Sequence, residues 1–206
     1  MEQVDTFPQL RFLITEDGEC TMEFRTRLNR GQAIRALLQK IWKSHSIPIS
    51  MKIRLVKALV WHVPMYGCER WTLRKNEATC LDAFDMKGLR KILWVSWTAK
   101  KTNEWVLNKA GVTRELLDTV KARKLAYYGH IMRKHESCLE KEIMQKNRKV
   151  RRGRPCMAWL DNINTWTGLL VEESIRITKD RDKWRKYVHG VANPRLKNRT
   201  DITRCL

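Results

Sequence analysis

The fold is decided by the stretch Thr21–Trp42, which reads TMEFRTRLNRGQAIRALLQKIW. Its apolar residues recur at intervals of about three and four, the spacing of one face of an α-helix. They are Phe24, Leu28, Ile34, Leu37, Leu38 and Ile41. Because nearly every apolar segment after Thr21 shows this period, the sequence predicts a mainly α protein.

Only the residues before this stretch have the pattern of a β-strand. Leu10, Phe12 and Ile14 alternate with Arg11 and Leu13, and a turn signal follows at Glu16-Asp17-Gly18. We therefore expect strand only at about Leu10–Thr15, and at most one short β-hairpin at the N-terminus.

Capping residues set the expected helix boundaries. Ser50 is placed to cap a helix that Pro64 ends, Asn76 to cap the next helix, and Thr113 to cap the longest one. Gly111 is placed to stop a short helix. The expected helices after residue 50 are Met51–Val63, Asn76–Leu93, Asn103–Ala110, Arg114–Lys134, Met157–Trp166 and Glu172–Val188.

The charge of the chain points to a polyanionic partner. At 206 residues and 43% hydrophobic composition the chain can bury a core, and it carries a formal net charge of +20. Residues 1–24 hold six acids against Arg11 alone, so residues 25–206 carry 41 basic and 16 acidic side chains. Without a membrane-length apolar stretch or a signal-peptide pattern, we expect an intracellular, nuclear protein that binds nucleic acid and not membrane. Its oligomeric state stays open.

The densest group of cations is a basic arm at residues 145–155, QKNRKVRRGRP. Gly153 and Pro155 disfavour a helix there, and arginine suits bidentate phosphate contacts. The predicted phosphate contacts are Lys146, Arg148, Lys149, Arg151, Arg152 and Arg154. A nuclear-import signal or a solvated linker are the alternatives.

Two further places are candidates for nucleic-acid contact. Arg54, Lys57 and Trp61 share the polar face of the expected helix Met51–Val63, so they can hold phosphates and stack a base. Trp61 can instead pair with Lys57 or pack under a neighbouring helix, which we favour. Lys124 lies inside an apolar arc, where its ammonium either extends to water or meets a phosphate.

Most of the nine tryptophans follow aliphatic residues at helical spacing, so we expect them to anchor the core. This prediction covers Trp42, Trp94, Trp159, Trp166 and Trp184.

The sequence contains no catalytic signature. The six cysteines lack CxxC spacing and are expected to be free thiols. His130, His135 and Cys138 are the nearest approach to a zinc site, but a second compact pair is missing. The acidic pairs Glu16/Asp17 and Asp180/Asp182 are most simply solvated. We expect no enzyme activity, no metal and no cofactor.

Five segments resemble, in order and spacing, the C-terminal part of the reverse transcriptase of LINE-type (non-LTR) retrotransposons. They are LITEDGECT at 13–21, KIRLVKALVW at 52–61, YGCERWTLRK at 66–75, GHIMRKHE at 129–136 and RRGRPCMAWLDNI at 151–163. The likeness covers about Phe7 to Val188. It implies a palm-edge remnant at 1–20, a thumb-like helical bundle at 21–110 and a basic C-terminal helical region at 111–206.

In that family the thumb grips the template–primer duplex and the C-terminal region contacts template RNA or target DNA. The family's catalytic aspartates lie upstream, and no Asp-Asp pair exists here. The resemblance therefore implies a truncated fragment that binds nucleic acid without polymerising it. Arg11 replaces the family's glycine near the primer terminus, and Pro64 interrupts a helix. A free-standing RNA-binding protein and an inactive genomic relic are the alternatives.

Overall fold

The computed structural model describes residues 6–9, 12–15, 20–135, 138–145 and 159–192, with side chains from residue 20 onward except at 97 and 143–145. The fold is mainly α, as predicted. The described helices are α1 (Thr21–Leu37), α2 (Gln39–Lys43), α3 (Ile49–Leu55), α4 (Lys75–Ile92), α5 (Asn103–Ala110), α6 (Glu115–Met132), α7 (Leu139–Gln145), α8 (Trp159–Thr167), α9 (Val171–Thr178) and α10 (Arg181–Ala192).

One β-hairpin precedes the helices, within the limit that the sequence set. Strands β1 (Thr6–Gln9) and β2 (Phe12–Thr15) pair antiparallel, with Thr6 opposite Thr15 and Gln9 opposite Phe12. The prediction that strand is confined to Leu10–Thr15 was wrong at its start. The alternation rule identified β2 alone, because β1 contains Pro8 and no apolar-polar alternation.

The helix expected at Met51–Val63 is shorter and begins earlier. Helix α3 starts at Ile49 after the extended residue Pro48, so Ser50 is not its cap. A π-helical segment, Val56–Val60, continues it, and the Trp61 amide donates to the Val56 carbonyl at 3.0 Å. A π-helical turn spans five residues where an α-helical turn spans four, so positions beyond it no longer follow the α-helical period.

The sequence predicted the start of α5 correctly, but it predicted the wrong cap for α4. Helix α4 begins at Lys75, and its first turn is closed by the Arg74 amide, which donates to Glu77 Oε2 at 2.8 Å; Asn76 is therefore not the cap. Helix α5 has the predicted bounds. The Thr102 hydroxyl accepts from the Trp105 amide, and Gly111 ends the helix with φ 66°.

The last helical region contains a break that the sequence did not reveal. The helix expected at Glu172–Val188 is two helices, α9 and α10, with Lys179 and Asp180 between them. The Asp180 carboxylate accepts hydrogen bonds from the backbone amides of Asp182 and Lys183, which caps α10 and holds the pKa of Asp180 below its usual value. Helix α7 was also not predicted.

Contacts between residues divide the chain into two compact units, Met1–Leu117 and Asp118–Leu206. This division falls inside α6, beyond the boundary expected at 110/111. Within the described residues, no helix combines the length and apolar character needed to cross a bilayer. None of the four cysteines whose side chains are described, Cys20, Cys68, Cys80 and Cys138, forms a disulfide, as expected.

The core of the first unit lies where α1 and α4 meet the π-helical segment. Phe24 of α1 packs edge-on against Trp71, with ring centroids 5.1 Å apart. Helix α1 approaches closely at Gly31, where a Cβ atom would lie 3.0 Å from Phe84 and 3.2 Å from Pro64. A second cluster joins α3, α4 and α5 through Ile53, Met86, Leu89, Val106 and Leu107.

The core of the second unit is built around one aromatic side chain of α10. Trp184 is 2% exposed, donates from Nε1 to the Leu125 carbonyl at 3.0 Å and packs 5.8 Å from the ring of Tyr128. Its indole lies directly over Gly129 of α6. A Cβ atom on Gly129 would be 2.3 Å from two indole atoms, so only glycine fits there.

The predicted tryptophan anchors fall into three groups. Trp42 and Trp184 are buried, which confirms the prediction for them, while Trp159 and Trp166 are partly buried against the second core. Trp94 contradicts the prediction, because it is 53% exposed. It lies two residues beyond Ile92, the last residue of α4, at a backbone position with φ 59°.

We expect Gly129→Ala to lower the free energy of unfolding by about 1–3 kcal/mol, because the new methyl group displaces the Trp184 ring. Gly190→Ala is the matched control. It also lies inside a helix of the second unit, nothing would contact its Cβ, and it should add about 0.5–1 kcal/mol of stability. Chemical denaturation of both variants measures the difference, and equal effects would contradict this packing.

Candidate nucleic-acid interface

Residues 146–155 of the basic arm lie outside the described residues. Its six candidate phosphate contacts, Lys146, Arg148, Lys149, Arg151, Arg152 and Arg154, therefore stay a prediction.

The structure separates the three side chains that were expected to form one polar face. Arg54 is exposed. Lys57 is about one-third exposed and forms an ion pair with Glu115, with 2.5 Å between Nζ and Oε2; it also lies 5.5 Å from the centre of the Trp61 ring. Glu115 thus offsets the charge of Lys57, and Arg54 is the member of this set whose charge faces solvent.

Trp61 is part of the core, as the favoured alternative predicted. It is 7% exposed, and its Nε1–H donates to Asp85 Oδ1 at 3.2 Å. The π-helical segment Val56–Val60 changes the helical register just before Trp61, so the angle assumed for a continuous α-helix does not apply. A buried indole offers no open face on which a base could stack.

The carboxylate of Asp85, which accepts a hydrogen bond from the Trp61 indole, lies in an unusual environment. Asp85 is 7% exposed, and it lines a small cavity with Ile53, Val56 and Leu89. Burial raises the pKa of Asp85 to about 6, while the Trp61 hydrogen bond and the nearby charge of Arg35 lower it in part.

Arg35 is a buried cation that contacts a backbone carbonyl and an aromatic ring, with the carboxylate of Asp85 nearby. It is 3% exposed, its Nη1 donates to the Phe84 carbonyl at 2.8 Å, and its guanidinium lies 4.1 Å from the centre of the Phe84 ring. Burial lowers its pKa to about 10. A Cβ atom at residue 88 would lie 2.7 Å from Arg35 Cζ, so the glycine of α4 makes room for this side chain.

Lys124 does not extend to solvent, so both sequence-based readings of this residue were wrong. Its side chain is 0% exposed, and Nζ donates to Asn162 Oδ1 at 2.6 Å. The ammonium also lies 4.6 Å from the centre of the Trp159 ring and 5.4 Å from that of Trp166. Cation–π contacts and one amide oxygen therefore hold this charge away from any phosphate.

The strongest charge signal in the described residues was missed by the sequence reasoning. Residues 24–68 contain nine basic side chains and no acidic one. Arg27, Arg35, Lys52 and Lys57 of this stretch are held by other groups of the protein. The remaining five are exposed and form no ion pair with a described residue: Arg25, Arg30, Lys40, Lys43 and Arg54. Counting acids along the chain would have revealed this stretch.

No group of three or more metal-binding side chains occurs among the described residues. His130 and His135 are exposed, and Cys138 is partly buried. Asp180 and Asp182 are exposed as expected, with Asp180 engaged in capping α10. The pair Glu16/Asp17 lies outside the described residues.

Comparisons with protein-family models, curated proteins and solved structures give no match for this chain.

We expect the protein to become more stable, relative to Asp85→Asn, as the pH falls. The folded pKa of Asp85 is about 6 and its ordinary value is 3.8, so between these values the folded chain holds a proton that the unfolded chain has released. Wild type should gain about 2 kcal/mol on the variant between pH 7.5 and 4.5. Asparagine keeps an oxygen that accepts the hydrogen bond from Trp61. A difference in stability between wild type and variant that stays constant from pH 7.5 to 4.5 would contradict a raised pKa of Asp85.

We expect Lys124→Met to leave nucleic-acid binding unchanged and to lower stability. Loss of one phosphate contact would reduce the slope of log affinity against log salt by about 0.7–0.9. The buried ammonium of Lys124 makes no phosphate contact, so the slope should not change. Asn162 loses a charged donor, which costs about 1–3 kcal/mol. Salt titration and denaturation of the same preparation test both statements; a flatter slope at unchanged stability would contradict them.

Proposed function

We propose that this chain binds nucleic acid through phosphate contacts and does not polymerise it, which agrees with its resemblance to the thumb and post-thumb regions of LINE-type reverse transcriptases. The observation that carries the proposal is the acid-free stretch 24–68, with five exposed cations that pair with no described carboxylate. Such cations gain most from a partner that brings its own negative charge.

Counterion release supplies the binding free energy in this proposal. A nucleic-acid strand holds condensed cations, and protein cations that replace them release these ions into solution. With a net charge of +20, the chain needs no base-specific contact for substantial affinity at low salt. The basic arm and the exposed cations of 24–68 would both contribute phosphate contacts.

The proposal excludes polymerisation because the family's paired aspartates have no counterpart in this sequence. Phosphoryl transfer by two metal ions needs carboxylates that both metals share. Asp85 is a single buried carboxylate that accepts from Trp61, and Asp180 is used in capping α10. A sequence-specific RNA-binding protein is the rival proposal, and a panel of unrelated sequences separates the two because phosphate contacts bind all alike.

Two charge-neutralised variants test the proposal. The arm variant changes the six arm cations to glutamine, and the surface variant changes Arg25, Arg30, Lys40, Lys43 and Arg54 to glutamine. If the arm engages about four to six phosphates, its contribution to the slope of log affinity against log salt is roughly −3 to −5. If about three to five of its cations engage phosphates, the surface variant should flatten the slope by roughly 2–4.5, since each lost contact removes about 0.7–0.9.

A matched control removes five exposed cations from the second unit: Arg176, Lys179, Arg181, Arg185 and Lys186. Their segment, residues 159–192, holds six basic and five acidic side chains, so its local field is weak. This control should change the slope by less than about 1. Titration of single-stranded RNA, single-stranded DNA and duplex DNA across salt gives the slopes. Equal slopes in the surface variant and the control would contradict a phosphate site at 24–68. An unchanged slope in the arm variant would mean that the arm is a nuclear-import signal or a solvated linker.

A further inference from the structure

Trp94 is an exposed aromatic side chain in a strained backbone position. It follows α4 with φ 59°, in the left-handed region, and 53% of its surface is exposed. The Val95 amide donates to the Arg90 carbonyl at 3.0 Å and the Trp94 amide to the Lys91 carbonyl at 3.4 Å. These two bonds form the Schellman ending of a helix, in which the left-handed residue is usually glycine.

A tryptophan at this position is unfavourable for folding alone. A left-handed residue with a Cβ atom is less stable than glycine there, and an exposed indole recovers little of that loss by burial. Bulky residues held in such conformations occur mainly where function requires the side chain. The position therefore calls for an explanation other than core packing.

One face of the Trp94 ring is already stacked. The His45 ring lies 5.1 Å from it, centroid to centroid, with 28° between the ring planes. The loop that carries His45 is fixed by the buried Lys52, whose Nζ donates to the carbonyls of Trp42 at 3.0 Å and Ser44 at 2.6 Å. Because His45 is itself exposed, the two rings form a supported stack on the surface of the first unit.

This stack is the point at which two acid-free segments meet. His45 lies in the segment 24–68, and Trp94 lies in the segment 86–103, which contains five basic residues and no acidic one. Lys43 and Lys91, close in sequence to the two rings, are exposed. Arg90 donates to the Lys101 carbonyl and to Asn103 Oδ1, which ties the following connector to α4. The surroundings of the stack are therefore positively charged.

We propose that Trp94, supported by His45, is a platform on which a base of single-stranded nucleic acid stacks while the neighbouring lysines hold its phosphates. This inference rests on the proposed function and names its substrate class. An aromatic face next to cations is the combination by which proteins bind single strands without sequence preference. In a duplex the base faces are covered by their neighbours, so the platform selects for single strands.

Trp94→Gly separates this role from a structural one. Glycine adopts the left-handed conformation without strain. If Trp94 had only a structural role, replacing it with glycine would lower the stability of the fold. We expect the variant to be at least as stable as wild type and to bind a single-stranded 20-mer, RNA or DNA, about 5- to 150-fold more weakly. Affinity for a duplex of equal length and the salt slope should not change. Trp94→Phe should restore part of the single-strand affinity.

Two controls sharpen the result. Tyr66→Ala removes another exposed aromatic side chain, whose ring faces the Arg27 guanidinium at 4.6 Å, and should leave the preference for single strands intact. A single-stranded 20-mer of abasic sites should bind wild type and Trp94→Gly alike, because it has phosphates but no bases. Loss of stability in Trp94→Gly, equal weakening for single strand and duplex, or no weakening at all would each overturn the platform. If wild type binds no nucleic acid at low salt, the proposed function itself fails.

Discussion

The burial of positively charged side chains is the constraint on which the interior of this protein depends. A buried charge needs a partner, and the partner need not be a carboxylate. Carbonyl or amide oxygens accept hydrogen bonds from Arg35, Lys52 and Lys124, and aromatic faces also contact Arg35 and Lys124. Trp159 and Trp166 thus contact the positive charge of Lys124 as well as filling apolar space. Arg27 pairs with the carboxylate of Glu23 in the same helix.

Five exposed cations of the stretch 24–68 form no ion pair with a described carboxylate. Because interior oxygens are used for Lys52 and Arg35, the acid-free stretch 24–68 folds with no acidic side chain of its own, and its exposed cations remain unopposed. Asp85 of the first unit is a buried carboxylate. Its carboxylate lies in a largely apolar cavity, and burial raises its pKa more than Trp61 and Arg35 lower it. Burial in the first unit therefore shifts the pKa of charged groups of both signs, lowering that of Arg35 and raising that of Asp85.

The sequence predicted those features that depend on neighbouring residues. The bounds of α5 follow from Thr102 and Gly111, both within reach of its own ends, and the mainly α character follows from local periodicity. The failures depend on contacts distant in sequence. Lys124 is buried because Asn162 and two tryptophans from α8 surround it, and Trp94 is exposed because the chain turns at the end of α4. The acid-free stretch 24–68 is a local feature and could have been predicted from the sequence. The net charge of the chain does not reveal where such a stretch lies.

The π-helical segment Val56–Val60 changes how this helix can vary in length. Each i to i+5 hydrogen bond accommodates one residue more than an α-helical turn, so the segment is geometrically an α-helix with an extra residue looped into it. Removing one residue there would restore α-helical pairing while α3 before it and Trp61 after it keep their places, because the widened turn alone takes up the extra residue. The helix can therefore lose this one residue without moving Trp61 out of reach of Asp85.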